Sequence, residues 1–342
     1  MPARLEIDAE ALRENIAAVR ERIAPAELVL VTKDEAYGHG LDWAVPAALE
    51  AGAHWIGSYD IGSALRIRAM APEVRIFAWE TSSAPLVADA IAAGIDLGVG
   101  TIEYLQRVID ESRKAEAVAR VHLKIDTGLH RNGIRPEGWA DAVAVARAAE
   151  DAGLLRVVGV WSHLAEASDA EDDDAQREFR AAVEALKAAG GTPEHLHLTA
   201  SAASWWRPEL RGTMCRIGAF CYGIRSADGP ELDGLRQVSA LKADVIDAAA
   251  DRVRLDIGAL DGLPSTLAGA AVGDGSVRIL RVGPTWTDLE PWKGAACGQT
   301  FTILGPGAVS ATDLAEHIDT VGEEILTRIS PLIARVEVSP RR

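Results

Sequence analysis

The chain has 342 residues, 48% hydrophobic and 25% charged, which is the make-up of a globular protein long enough to bury a sizeable core. Its 51 acidic residues against 35 basic ones give a formal net charge of -16, which argues against non-specific binding to nucleic acid or an anionic membrane. Cys215, Cys221 and Cys297 show neither metal-ligand spacing nor a disulfide framework, so no metal is expected; the N-terminal "MPARLEIDAEALREN" lacks an apolar signal core and no run is long enough to span a membrane, so the cytoplasm is the expected compartment.

Short β-branched runs alternate with Ala-rich amphipathic stretches over the first two thirds of the chain. Strands are predicted at 27–32 "ELVLVT", 54–59 "HWIGSY", 74–80 "VRIFAWE" and 95–100 "IDLGVG". Four more are predicted at 118–126 "VARVHLKID", 156–163 "RVVGVWSH", 195–200 "HLHLTA" and 213–219 "TMCRIGA". Helices are predicted between them, among them 102–116, 136–152 with Pro136 in its first turn, and 169–189 with the acidic opening "DAEDDD". Eight strands with intervening helices, and no Gly-x-Gly-x-x-Gly fingerprint, predict a (β/α)8 TIM-type barrel over a doubly wound sheet. After about residue 235 the texture changes to strands separated by Gly and Pro. The expected organisation is a barrel over 9–230 followed by a mostly β domain over 235–342, with residues 1–8 packing on the latter.

In such a barrel the C-terminal strand ends carry the chemistry. There the chain places Lys33, Lys124, Asp126, Arg131, His163, Ser201 and Arg216. Each has a bland alternative. Lys33 by itself reads as a solvated loop residue, His163 as a hydrogen-bonded core histidine, and Ser201 as a helix cap. Arg216 inside "TMCRIGAFCYG" is harder to dismiss, because a guanidinium there needs an anion or several acceptors. Together they suit a phosphorylated aldehyde cofactor. A lysine can form a Schiff base, and the loops after the last two barrel strands commonly hold phosphate. Ser201 at a helix start, the amides of Ile217 and Gly218, and the Tyr37 hydroxyl supply suitable donors, and pyridoxal 5'-phosphate fits them.

Four stretches, in order, resemble the alanine racemase family of fold-type III pyridoxal phosphate enzymes. "VTKDEAYGHG" resembles Lys-x-x-Ala-Tyr-Gly-His-Gly, and "VHLKIDTGLHRNGI" resembles Lys-x-Asp-Thr-Gly-Met-x-Arg-x-Gly. "GVWSHLAEASD" resembles the family's His-Phe-Ala segment, and "CRIGAFCYG" its Arg-Pro-Gly-x-x-Leu-Tyr-Gly. The resemblance spans residues 5 to 225 and implies roles. Lys33 would bind the cofactor and act as one acid/base, Arg216 would face the pyridine nitrogen, and His163 would lie near the ring. Arg131 would bind the cofactor's phenolic oxygen or the substrate carboxylate, and Ser201 and Tyr37 would hold phosphate. Lys124 would match a lysine that is often carbamylated. A small amino acid substrate and a head-to-tail homodimer are implied as well.

The resemblance weakens in the last third. The family's second base is a tyrosine in Gly-Tyr-x-Asp-Gly, and here Gly258-Ala259-Leu260-Asp261-Gly262 has Ala259 in its place. In "ACGQT", Cys297 and Gly298 replace the Met and Asp of Met-Asp-Gln, and in "DTVGEEIL" Glu323 replaces a tyrosine that helps hold phosphate. Racemisation needs groups on two opposite faces. Cys297, Asp261 or Glu323 could supply the second. The alternatives are a one-base lyase or decarboxylase and a non-catalytic pyridoxal phosphate-binding homologue.

Overall fold

The computed structural model describes residues 3–338; the ends of the expected N-terminal segment and C-terminal domain, residues 1–2 and 339–342, lie outside the described residues. The chain divides into two compact units, one comprising Val19–Lys33 and Gly52–Gly218, the other Met1–Ala18, Asp34–Ala51 and Ala219–Arg342.

Sixteen strands occur among the described residues. In chain order they begin with β1 (Arg4–Ile7), β2 (Glu27–Val31), β3 (Trp55–Tyr59), β4 (Arg75–Ala78), β5 (Asp96–Val99), β6 (Ala119–Lys124), β7 (Leu155–Trp161), β8 (His195–His197) and β9 (Met214–Ile217). There follow β10 (Ser239–Ala248), β11 (Val253–Leu255), β12 (Ala271–Val272), β13 (Val277–Val282), β14 (Thr287–Leu289), β15 (Thr300–Leu304) and β16 (Ala334–Glu337).

The first unit is the near-closed eight-stranded parallel barrel expected from the alternation. Its strands run in the order β8-β7-β6-β5-β4-β3-β2-β9. Beside the open step between β8 and β9, the amides of Thr213 and Arg216 donate to the carbonyls of Leu196 and Thr199 at 2.9 and 3.3 Å. The strands are buried on both faces because helices cover the outside, hence their nearly continuous apolar runs. Side-chain caps start several of these helices: Asp60, Thr101 and Ser168 accept from the amides of Ser63, Tyr104 and Glu171. Aromatic rings fill the interior, where Trp55, Phe77 and Trp161 pack with Val29, Met214 and the partly buried Trp79.

The second unit is mostly strand. β10 is its hub, antiparallel to β1, β11 and β15, and β1 in turn pairs in parallel with β16. The sheet continues through β11, β14 and β13 to β12. Arg225 ties the helix Ala311–His317 to this unit through ion pairs with Asp313 and Glu316.

Candidate active site

Register decides which barrel side chains meet. On β7, Trp161 pairs with Lys124 of β6 on one side and with His197 of β8 on the other. Lys33 follows β2 by two residues, and Arg216 of β9 pairs with Val29 of β2. Lys33, Lys124, His163 and Arg216 therefore come from the C-terminal halves or ends of four strands, β6-β7 and β9-β2, with β8 between the two pairs.

Arg216 is buried, and its guanidinium is held by protein acceptors. Nη1 donates to His197 O at 2.8 Å and His197 Nδ1 at 3.1 Å. Nη2 donates to Ser162 O at 2.7 Å, His163 Nδ1 at 3.2 Å and Leu198 O at 3.3 Å. The Trp161 ring lies 5.1 Å from the guanidinium carbon. Burial pushes Arg216 down to about 10, so it remains a cation at neutral pH. His163 is held well below the ordinary histidine range by burial and then by the charges of Arg216, Arg131, Lys124 and Lys33. Those five residues thus share one electrostatic neighbourhood.

Lys124 is buried, with its ammonium 4.6 Å from the centre of the Trp161 ring. Burial first, then the charges of Arg216 and Arg131, lower it to about 7. Asp126, two residues on, turns into the following loop: it accepts from the amides of Gly128 and His130 at 3.1 and 3.0 Å and from His130 Nδ1 at 3.0 Å. Burial raises its carboxyl, but these donors outweigh burial and hold it below the usual range. The loop so ordered carries the exposed Arg131. Between β8 and β9, the Gly218 amide donates to Ser201 Oγ at 3.4 Å, where the helix Ser201–Trp206 begins. Glu166, not anticipated from sequence, accepts from the Ala203 amide in the first turn of that helix at 3.1 Å.

Directly after Lys33 the chain makes a left-handed turn. Asp34, Glu35, Ala36 and Tyr37 all have φ between 53° and 56°. Each non-glycine residue there costs roughly 1–2 kcal/mol. Ala36 and Tyr37 are buried, while Asp34 and Glu35 are exposed.

Residues 7–226 match the family model described as alanine racemase, N-terminal domain. The chain belongs to the alanine racemase family. An alanine racemase of Thermobifida fusca (strain YX) is 36% identical, over 98% of this chain and 97% of that protein. One from Streptomyces coelicolor is 32% identical, over 98% of this chain and 96% of that protein. The solved alanine racemase of the D-cycloserine producer Streptomyces lavendulae aligns with a TM-score of 0.93 at 30% identity, covering 100% of this chain and 98% of that one.

The remaining alanine racemase-like positions belong to the strand-rich unit. Tyr37 is buried, its ring 5.1 Å from that of Tyr222. Burial, and next the charge of Glu323, raises its hydroxyl well above the usual range, so it stays protonated and able to donate. Glu323 therefore lies within electrostatic reach of Tyr37. Ala259 opens the short 3-10 turn Ala259–Asp261 and is exposed, its amide donating to Gly283 O at 2.8 Å. Asp261 Oδ2 accepts from the Gly258 amide at 2.8 Å, so one carboxylate oxygen is spent on that turn. Cys297 is an exposed free thiol.

Proposed function

We propose that this chain is a pyridoxal phosphate-dependent racemase of a small amino acid, alanine first among them. The observation that carries the reading is Arg216, a buried guanidinium locked by five hydrogen bonds at the same strand ends as Lys33, Lys124 and His163. The donor set suits the cofactor: an amine at one strand end, a fixed cation deeper in, and a hydroxyl and an amide side by side where barrels carry phosphate. Pyridoxal phosphate supplies an aldehyde that a lysine amine can take up and a ring that draws electrons from the substrate's Cα.

In this reading Lys33 holds the cofactor and moves the α-proton on one face. Arg216 would face the pyridine nitrogen; because a guanidinium gives up its proton reluctantly, it would leave that nitrogen unprotonated and so restrain the electron sink the ring supplies. Ser201, Gly218 and Ile217 at the end of β9, with the protonated hydroxyl of Tyr37, bind phosphate, and His163 packs by the ring as a neutral acceptor. Arg131 binds the substrate carboxylate or the phenolic oxygen. The second acid/base, with Ala259 in the tyrosine's position, is Cys297 or Asp261, reaching the site from a partner protomer in a head-to-tail homodimer. A cytoplasmic setting suits this chemistry; among the described residues no helix is long and apolar enough to cross a membrane.

The test is α-proton exchange in heavy water with cofactor-loaded protein and L-alanine, followed by a panel of amino acids. Deuterated product of both hands supports racemisation. Deuteration with retained configuration overturns it in favour of one-face chemistry by Lys33, and no exchange with any substrate favours a binding homologue.

A further inference from the structure

Inside the barrel, beyond the residues just assigned, lies a cluster of buried polar groups that the reaction does not itself require. Asp96 of β5, His122 of β6 and His197 of β8 are all buried. His197 Nδ1 sits 3.1 Å from Arg216 Nη1, His197 Nε2 sits 2.8 Å from His122 Nδ1, and His122 Nε2 sits 3.2 Å from Asp96 Oδ2. At the far end Arg120 Nε and Nη2 donate to Asp96 Oδ1 and Oδ2 at 2.7 and 3.2 Å.

The direction of every bond follows from its ends. A guanidinium has no acceptor, so His197 Nδ1 must accept and its proton sits on Nε2. That N–H donates to His122 Nδ1, which places the His122 proton on Nε2. There it meets a carboxylate, which can only accept. A second proton on either ring would set one N–H against another. The rings are also fixed by packing. Trp161 stacks on His197 with 8° between planes, Trp161 Nε1 donates to His122 O at 3.2 Å, and Phe77 lies 4.8 Å from His122. A Cβ at Gly159 would fall 2.2 Å from His122 Nδ1, so glycine is needed for the ring to occupy its place.

We propose that Asp96, His122 and His197 form a one-way hydrogen-bond chain through the barrel that fixes the orientation of the Arg216 guanidinium, making Asp96 and His122 positioning residues for whatever Arg216 faces. The bearing on catalysis rests on the racemase reading above; the chain itself does not. The physical reason is a limit on rotation. Nη1 is tied to the backbone and ring of His197, and a buried network with every member satisfied has one arrangement. Asp96 ends the chain with the single group that forces its polarity.

The test begins with the unaltered protein labelled with ¹⁵N-histidine. Long-range proton–nitrogen correlation is expected to show His122 and His197 each with one proton, on Nε2; a proton on Nδ1 of either overturns the proposal. The second measurement is Asp96→Asn, whose amide cannot accept from both His122 and Arg120 with the same oxygen geometry. Expected are displaced ¹⁵N shifts at both histidines, a shifted absorption band of the bound cofactor, and roughly tenfold lower kcat with KM little changed. Asp96→Glu, which keeps the carboxylate, is expected to restore the histidine shifts and the band. Unchanged His197 shifts and an unchanged band in a folded Asp96→Asn protein overturn the proposal. Should Asp96→Asn fail to fold, the tautomers of the unaltered protein decide alone, and a proton on Nδ1 of either histidine overturns the chain. Histidine tautomers as expected in a protein that exchanges no amino acid would sink the racemase reading and leave the chain standing.

Discussion

Lys124 Nζ lies 4.6 Å from the centre of the Trp161 ring, in a buried position that it shares electrostatically with Arg216 and Arg131. The ring face attracts the ammonium, but burial and two guanidiniums oppose it, and the balance is an amine with its pKa lowered from 10.5 to about 7. Folding therefore releases a proton that the unfolded chain retains between these values. In carbon dioxide-free buffer, stability is expected to rise with pH from about 7 to about 10.5 and to be flat in this respect below 7. Lys124→Met is expected to remove that slope in urea titrations repeated across the range.

An amine with its pKa near 7, under the charges of two guanidiniums, is also disposed to take up carbon dioxide. The product is an anion under the positive charges of Arg216 and Arg131, opposed by the carboxylate of Asp126. With ¹³C-bicarbonate, a carbamate signal is expected to appear as pH rises through about 7, and to be absent in Lys124→Arg. A wild-type protein without that signal at pH 8 would rule out the modification.

Arg216→Lys keeps the charge but cannot span the acceptors on β7 and β8 together. The ammonium has three donors on one atom, whereas the guanidinium reaches His197 with one nitrogen and Ser162, His163 and Leu198 with the other. The expected stability loss is roughly 1.5–3 kcal/mol, the scale of a hydrogen bond to a charged group. The checks are thermal unfolding and, on the proposal that Arg216 faces the ring nitrogen, a shift of the cofactor absorption band.

The barrel was legible because its strands are buried on both faces and read as short apolar runs, with helices between them marked by period and by caps such as Thr101. Arg216 was legible for a related reason: a guanidinium in an apolar strand stands out. Its actual acceptors were not. His122, His195 and His197 alternate with apolar residues in "VHLKI" and "HLHLT", the same pattern as any strand face, and only the parallel register brings two of them together across separate strands. The turn after Lys33 left no signal either. Asp34-Glu35-Ala36-Tyr37 contains no glycine, and its left-handed conformation is stabilised by tertiary contacts of Ala36 and Tyr37, which local propensity does not register.

Gly133 closes the loop that carries Arg131. Its φ is 138°, and a Cβ there would lie 2.7 Å from the Asp126 amide nitrogen. Gly133→Ala is expected to cost roughly 1–3 kcal/mol through backbone strain and to move the Asp126-held loop. If Arg131 binds the substrate carboxylate, KM for the amino acid rises more than kcat falls. An equal fall in kcat with KM unchanged would place Arg131 on the cofactor instead.

Variants at Asp261 and Cys297 test the two residues proposed as the second acid/base. Asp261 already gives one oxygen to the Gly258 amide, so Asp261→Asn keeps the turn's acceptor while removing the titrating group. Cys297 is an exposed free thiol, so Cys297→Ser changes a thiol for a hydroxyl at little structural cost. For a two-base racemase, removing the group on one face blocks proton return there without blocking abstraction by Lys33 on the other. The variant that deletes the true second base is therefore expected to retain α-deuteration of one enantiomer while losing interconversion, by about 10²-fold or more for a general acid/base. If Cys297→Ser shows that split and Asp261→Asn does not, the thiol is the base; the reverse pattern assigns the carboxylate. If both variants interconvert the enantiomers at the wild-type rate, neither residue is the second base, and the group opposite Lys33 must come from elsewhere in the chain.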